Sequence, residues 1–338
     1  MSQFRAWAAT GAGAALQRFD FDPGVLDPEE VEVQVEHCGI CHSDLAMIDS
    51  EWGPSSYPLV PGHEVVGRVV ALGDQAKGLA LGQRVGIGWH TRSCMHCQPC
   101  LGGEQNLCAQ RQPTIVGRHG GFADRLRSHW AWAVPIPDGL DAASVGPLMC
   151  GGITVFNPLL IHAVKPLDRI GVVGIGGLGH LALRFARAWG CEVTAFTSTA
   201  AKRDEALALG AHRTVSSTDK AEMKAVAGSI DFLLVTVGAT LNWGSLMGTL
   251  APKGRMHLVG VVTEGMNLHT APLLTWQRSV SGSPTGSPAA LASMLGFAAR
   301  HQIVAQVERY PMNDVNAAID RLRSGKARYR VVLDADPV

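Results

Sequence analysis

Arg169-Ile-Gly-Val-Val-Gly-Ile-Gly-Gly-Leu-Gly-His180 is the stretch that decides the fold. An apolar, strand-like run enters a G-x-G-x-x-G turn made by Gly174, Gly176, Gly177, Leu178 and Gly179, and a helical pattern from Leu178 to Trp189 opens directly out of it. Glycines at this spacing permit a tight turn and let backbone N–H groups approach a pyrophosphate, which also lies at the positive end of the helix dipole. Alone the motif is weak. Its position between a strand and a helix makes it a dinucleotide site.

Strand-like and helical runs alternate outward from this point. Arg169–Ile175, Glu192–Thr197, Arg213–Ser217, Asp231–Val237, Arg255–Gly260 and Ser279–Ser283 read as strands, and Ala200–Leu209 as a second helix. Glycines at 190 and 210 stop the two helices. That alternation implies a doubly wound parallel sheet. At the end of its second strand an acidic residue would grip the ribose 2′-hydroxyl of NAD. Here Thr197, Ser198 and Thr199 are followed by Lys202 and Arg203. Hydroxyls and cations suit a 2′-phosphate, so NADP(H) is the expected cofactor.

Before residue 150 the chain changes character. Val31–Val35 alternates with period two, and Val65–Leu72 and Gln83–Ile87 read as further strands among Gly- and Pro-rich loops. Length and composition suit two soluble domains, with 338 residues, 46% hydrophobic and 17% charged. Lys plus Arg and Asp plus Glu stand at 29 each, a balance that favours neither nucleic acid nor an anionic membrane as partner. Ala142–Val164 and Phe232–Pro252 lack charge but are broken by Gly, Pro, Asn, Thr or Ser, and read as buried core. The N-terminus is too glycine-rich and weakly apolar for a secretory signal, so a cytoplasmic, reducing location is expected.

The cysteines carry the chemistry. Cys94-x-x-Cys97-x-x-Cys100-x7-Cys108 has the spacing to gather four thiolates around one tetrahedral zinc, a closed site that braces a lobe over residues 90–110. Cys38-Gly-Ile-Cys41-His42-Ser43-Asp44, Gly62-His63-Glu64 and Cys150 remain. Two thiolates and one imidazole would leave zinc an open fourth position, the arrangement of a catalytic metal. Spacing does not separate Cys38 from Cys41 as the first ligand.

These segments, with Cys150-Gly-Gly-Ile-Thr154 and Gly174–His180, occur in an order that resembles the zinc-dependent medium-chain alcohol dehydrogenases. The resemblance is to the cinnamyl-alcohol-dehydrogenase-like branch that includes bacterial NADPH-dependent aldehyde reductases. It implies an α/β fold: a β-rich GroES-like catalytic domain, residues 1–150 and 288–338, plus a doubly wound Rossmann NADP-binding domain, residues 151–287, with the site in the cleft between them and a homodimer through the nucleotide domain. It also implies Cys41, His63 and Cys150 as catalytic zinc ligands, Cys38 as packing, Glu64 as an acidic neighbour of the metal, and Asp44 as the group that holds His63. Ser43 would relay the alcohol proton, His42 would lie near the pyrophosphate, and Thr154, Thr236, Gly260 and Ser283 would line the cofactor groove. Many relatives place a histidine three residues after the relay hydroxyl. Ala46 stands there, implying a shorter relay ended by water.

The implied activity is interconversion of primary alcohols and aldehydes with two zinc ions per chain, in the direction of aldehyde reduction. Trp52, Trp89 and His90 are expected to line a wide substrate pocket for aliphatic and aromatic aldehydes. An NAD-dependent polyol or formaldehyde dehydrogenase is the alternative within the fold, and a non-catalytic dinucleotide-binding relative the alternative outside enzymes.

Overall fold

In a computed structural model, residues 3–262 and 264–335 are described. The chain forms two compact units, one from the residues up to Ile153 together with those from Thr285 onward, the other from Thr154 to Pro284.

The second unit is built on a six-stranded sheet. Its order is Arg213–Ser216, Glu192–Thr197, Arg169–Val173, Ile230–Val235, Leu250–Leu258, Ser279–Gly282, and every pairing is parallel. Arg169–Val173 is central because four of its five residues are buried, the near-continuous apolar run of a strand covered on both faces. The strand order reverses there, since the chain pairs outward on one side and then crosses to the other. Ligands of such sheets lie beyond the carboxyl ends of the strands at this switch point. The helix Gly179–Trp189 ends at Gly190, whose φ of 102° supplies the left-handed cap.

Several expected strand and helix ends shift, most by a residue or two, and three places show a local reason. Gly174, at φ 90°, takes the chain out of the first strand before Ile175. The helix expected over Ala200–Leu209 is a 3₁₀ turn, Ala200–Lys202, followed by Arg203–Ala208. The strand expected over Arg255–Gly260 runs instead from Leu250 to Leu258 and takes in Pro252-Lys253-Gly254 as a register shift, with Lys253 at φ 63°.

The first unit centres on a mainly antiparallel sheet. Glu30–Ile40 is its spine, pairing with Glu64–Leu72, Arg125–His129 and Arg330–Asp334. The final strand returns from the far end of the chain and sets Val331 opposite Ile40. The charge-free Ala142–Val164 segment holds the turns and helix Ala142–Val145, Gly146–Met149 and Gly151–Ile161, buried almost throughout as far as Leu159. Together they form the one bent helix pair among the described residues with the length and composition of a membrane span, while no single helix has them.

Phe196, fully buried among Val173, Val215, Leu233 and Met256, anchors the core on one side of the parallel sheet. Replacing it with Ala leaves a cavity that collapses only in part, so Phe196→Ala is expected to cost about 3–5 kcal/mol. Urea titration followed by circular dichroism measures it as a lower midpoint at unchanged slope.

Candidate metal centre and dinucleotide loop

Two groups of donor side chains converge among the described residues. Cys41, His63, Glu64 and Cys150 offer ligand atoms that all lie within 4.8 Å of one another, and so do Cys94, Cys97, Cys100 and Cys108.

Cys41 ends the spine strand's exit and begins the helix His42–Ile48. Asp44 sits three residues on, where its Oδ2 accepts the Cys41 backbone N–H at 2.8 Å. Its other oxygen, Oδ1, accepts from the Gly62 N–H at 2.8 Å and pairs with His63 Nδ1 at 2.9 Å. One fully buried carboxylate therefore joins the two segments that carry the first cysteine and the histidine. With Nδ1–H donating to Asp44, Nε2 is left as a lone-pair donor aimed at Cys150 Sγ, 3.3 Å away. Burial disfavours a charged His63, but the Asp44 carboxylate outweighs it and holds the ring's proton affinity well above the ordinary value. The same electron supply strengthens Nε2 as a metal ligand.

Cys41 Sγ and Cys150 Sγ are 3.9 Å apart. A tetrahedral zinc with bonds of about 2.3 Å spaces its sulfurs by about 3.8 Å. The Cys150 thiol donates toward Cys41, and with Arg330 and His63 nearby this pulls the Cys41 thiol well below its usual range against the effect of burial. Glu64 completes the group. Gly39 makes room for its carboxylate, since a Cβ at Gly39 would lie 2.1 Å from Oε2. Glu64 Oε1 accepts from the buried Arg330 guanidinium, while Oε2, fully buried, has no hydrogen-bond partner among the described residues. Burial pushes this carboxyl up to about 8 despite the arginine. A preformed pair of sulfurs, an oriented imidazole and an orphaned carboxylate oxygen fit a divalent zinc. Cys38 does not join them, because its side chain packs toward Gly62 and Gly121.

The four-cysteine group is built locally. Met95 takes a left-handed φ of 60°, and the Cys97 N–H turns back onto Cys94 Sγ at 3.3 Å. Backbone N–H groups of His96 and Cys97 lower the Cys94 thiol to about 6. Cys94 and Cys100 sulfurs stand 3.9 Å apart, again the spacing of a tetrahedral site. His96 turns its Nδ1 to the Cys94 carbonyl instead of joining the group.

Around the first group, Trp89 stands edge-on to His63 with ring centroids 4.9 Å apart, and Trp52 stands edge-on to Trp89 at 6.2 Å. Trp52 remains 40% exposed, so this aromatic pair leads from solvent to the metal ligand. His90 departs from the expected pocket. It is buried against Trp132, centroids 5.2 Å apart, where desolvation lowers it to about 4. Ser43 Oγ lies 3.8 Å from Cys41 Sγ, and Ala46 is fully buried. His42 is largely exposed, 3.8 Å from Glu51. Arg330 had no signal in the sequence, being an arginine in a tail without a motif, and only strand pairing brings it to Glu64.

The glycine loop divides its labour as a pyrophosphate cradle requires. Gly174 makes the left-handed turn. A Cβ on Gly179 would lie 1.9 Å from the Gly174 carbonyl oxygen, so the helix can start only with glycine there, whereas a Cβ on Gly176 meets nothing within 4 Å and faces open space. Gly177 and Leu178 complete the loop, with Leu178 as N-cap of the helix. At the end of the second strand, Thr197 Oγ1 accepts the Thr199 N–H at 3.1 Å, and Ser198 and Thr199 are exposed. Lys202 Nζ donates to the Ile175 carbonyl at 2.8 Å, tying this end to the glycine loop, while Arg203 is paired with Glu222 at 2.6 Å. Thr236 Oγ1 donates to the Val173 and Gly174 carbonyls and braces the loop from the fourth strand. A Cβ on Gly260 would meet the Val237 carbonyl at 2.5 Å, and Ser283 Oγ lies 2.9 Å from His257 Nε2. Thr154 is buried on the helix that follows Cys150.

A β-rich unit with a four-cysteine segment, joined in one chain to a doubly wound sheet, defines a zinc dehydrogenase. Residues 27–138 match the alcohol dehydrogenase GroES-like domain, and residues 177–300 the zinc-binding dehydrogenase family. The chain is 53% identical to aldehyde reductase AdhA of Synechocystis over 97% of its length and 98% of that protein. Among solved structures it resembles a cinnamyl alcohol dehydrogenase of Sorghum bicolor, with TM-score 0.94 and 38% identity over 98% of both chains. It also resembles CAD from Helicobacter pylori complexed with NADP(H), with TM-score 0.90 and 27% identity over 98% of both. The chain belongs to the zinc-binding alcohol dehydrogenase family, in its cinnamyl-alcohol-dehydrogenase-like branch.

Three substitutions separate these roles. Asp44→Asn removes the charge that orients His63 and is expected to weaken zinc at the Cys41 group 10- to 100-fold while sparing the four-cysteine group. Zinc per chain after dialysis against graded chelator should fall by one ion at a chelator level that leaves the parent with two. Gly176→Ala is expected to keep the parent's melting temperature and lose cofactor binding, whereas Gly179→Ala lowers the melting temperature itself.

Proposed function

We propose that the chain reduces aldehydes to primary alcohols with NADPH, using zinc held by Cys41, His63 and Cys150. The convergence of two sulfurs, an imidazole and an orphaned carboxylate oxygen, with Trp89 against the imidazole, is the observation that carries this reading. Zinc bound there would act as a Lewis acid toward a carbonyl, and NADPH would supply the hydride.

The chain's own residues supply position and proton. Asp44 takes the Nδ1 proton of His63, so the neutral ring presents its Nε2 lone pair inward as a metal ligand. Glu64, held from behind by Arg330, stands by as a further oxygen donor during ligand exchange. Ser43 can accept a proton on one lone pair while releasing its own, so it moves a proton to the forming alcohol without becoming charged. Buried Ala46 offers no acceptor, and the relay ends on water. Trp52 and Trp89 give an apolar, partly exposed approach that suits medium-chain and aromatic aldehydes. Structural zinc at Cys94, Cys97, Cys100 and Cys108 would brace its lobe. On the same reading the enzyme is a homodimer, because the outermost strand Ser279–Gly282 leaves one backbone edge for a second copy to extend. Eight cysteines without a disulfide suit a reducing cytoplasm.

The hydroxyls and Lys202 at the second strand's end support NADP(H). Initial rates on one aromatic aldehyde with NADPH and with NADH, on protein of measured zinc content, test both parts. A kcat/KM at least tenfold higher with NADPH and two zinc ions per chain are expected, and Cys150→Ser should abolish turnover. A preference for NADH would return the cofactor to NAD, and retained turnover in Cys150→Ser would remove the metal from the reaction.

A further inference from the structure

We infer that His162 and His257 form a directional hydrogen-bond chain which makes Ser283 a hydrogen-bond donor to the nicotinamide half of the cofactor. This rests on the NADP(H) reading above.

The chain lies wholly in the nucleotide-binding unit. Arg255 Nη1 is 2.5 Å from His162 Nδ1, His162 Nε2 is 3.1 Å from His257 Nδ1, and His257 Nε2 is 2.9 Å from Ser283 Oγ. A guanidinium can only donate, so His162 Nδ1 must accept. Neutral His162 then carries its proton on Nε2 and donates to His257 Nδ1, which in turn leaves the His257 proton on Nε2, donated to Ser283. The Ser281 hydroxyl, 2.9 Å from His257 Nδ1, donates to the same lone pair. Every proton points toward Ser283. With one lone pair of Oγ occupied, its own O–H is turned away from the protein chain and toward whatever lies beyond the strand end.

Both histidines stay neutral, as this polarity needs. His257 is fully buried, stacked on Phe232 with centroids 5.8 Å apart, and burial followed by the nearby His162 and Arg255 holds it down at about 4. His162 is lowered by burial and then by Arg255. Among the described residues, no carboxylate meets either imidazole through a hydrogen bond or ion pair.

Sheet order tells which half of the cofactor meets Ser283. The second strand's end, with Thr197 and Lys202, lies one strand to one side of the glycine loop, and Ser283 follows the sixth strand, three intervals to the other side. Strands about 4.8 Å apart put that end about 14 Å from the loop. A dinucleotide with its adenosine 2′-phosphate at Lys202 and its pyrophosphate on the loop must send its nicotinamide half over the fourth, fifth and sixth strand ends. That half offers ribose oxygens and the carboxamide oxygen as acceptors, and the carboxamide, the farthest of them from the pyrophosphate, is the one that falls to the sixth strand's end. Ser283 is the contact, and His257 and His162 are positioning residues.

The test measures dissociation constants on the full-length, zinc-loaded protein for NADPH and for 2′,5′-ADP, which lacks the nicotinamide half. Ser283→Ala and His257→Leu are each expected to weaken NADPH about five- to tenfold, the worth of one hydrogen bond, and to leave 2′,5′-ADP within about twofold. His257→Gln, whose amide N–H reaches the place of Nε2, should restore NADPH to within about twofold of the parent, and the Leu–Ala double variant should lose no more than either single one. Unchanged NADPH affinity in Ser283→Ala, or a loss in His257→Leu that 2′,5′-ADP shares equally, overturns the inference. Should His257→Leu not fold, Ser283→Ala and His257→Gln decide alone. Failure of the parent to bind 2′,5′-ADP is a different result, visible before any variant is made, and overturns the NADP(H) reading beneath it.

Discussion

A carboxylate with no access to water must find its hydrogen bonds inside the protein, and Asp44 finds three of them. They come from Cys41, Gly62 and His63, residues on two segments separated by a long loop. Satisfying one buried charge therefore sets the relative position of the first thiolate and the imidazole before any metal arrives. If Asp44 moved, the cysteine would lose its helix cap and the histidine its tautomer together. Donor spacing close to that of a tetrahedral zinc follows from this clamp, not from attraction among the ligands, which would otherwise prefer to stay apart and solvated.

A second buried charge closes the unit from behind. Glu64 is flanked by two thiols and an imidazole, and in an apolar surround its carboxyl would protonate. Arg330 supplies the opposing charge from the last strand, so the end of the chain is coupled to the centre formed by its first 150 residues. That coupling gives a physical reason for the split layout of the first unit, whose sheet is incomplete until the tail returns to pair with Glu30–Ile40. In the other unit the same principle operates without net charge at its centre. His257 and His162 are satisfied in a row, and their order is set by the one partner, Arg255, that can only donate.

Features that were legible in the sequence are those whose cause is local. The four cysteines fold around nearby backbone N–H groups within fifteen residues, so their spacing alone reports their convergence. The glycine loop was legible because each glycine answers a short-range steric demand. Strand ends were less so: the strand expected from Arg255 begins at Leu250, carried through Pro252-Lys253-Gly254 by pairing on the neighbouring strand. His90 misled because it adjoins Trp89 in sequence, but Trp89 lies in a bend and His90 opens a short strand, so the two side chains part and His90 turns to Trp132.

The sequence by itself determined the doubly wound sheet, the dinucleotide loop, the four-cysteine lobe and the set of residue types available for a second metal centre, because period, glycine placement and cysteine spacing act over a few residues. Spacing left Cys38 and Cys41 alike and the family resemblance favoured Cys41; the tertiary structure draws Cys41, without Cys38, into the group with His63 and Cys150, and it alone brought Arg330 to Glu64 and lined up His162, His257 and Ser283. Each of these depends on pairing between strands or turns far apart in the chain, where the energy lies in burying charge and polar groups with their partners, and no local pattern encodes which partner that will be.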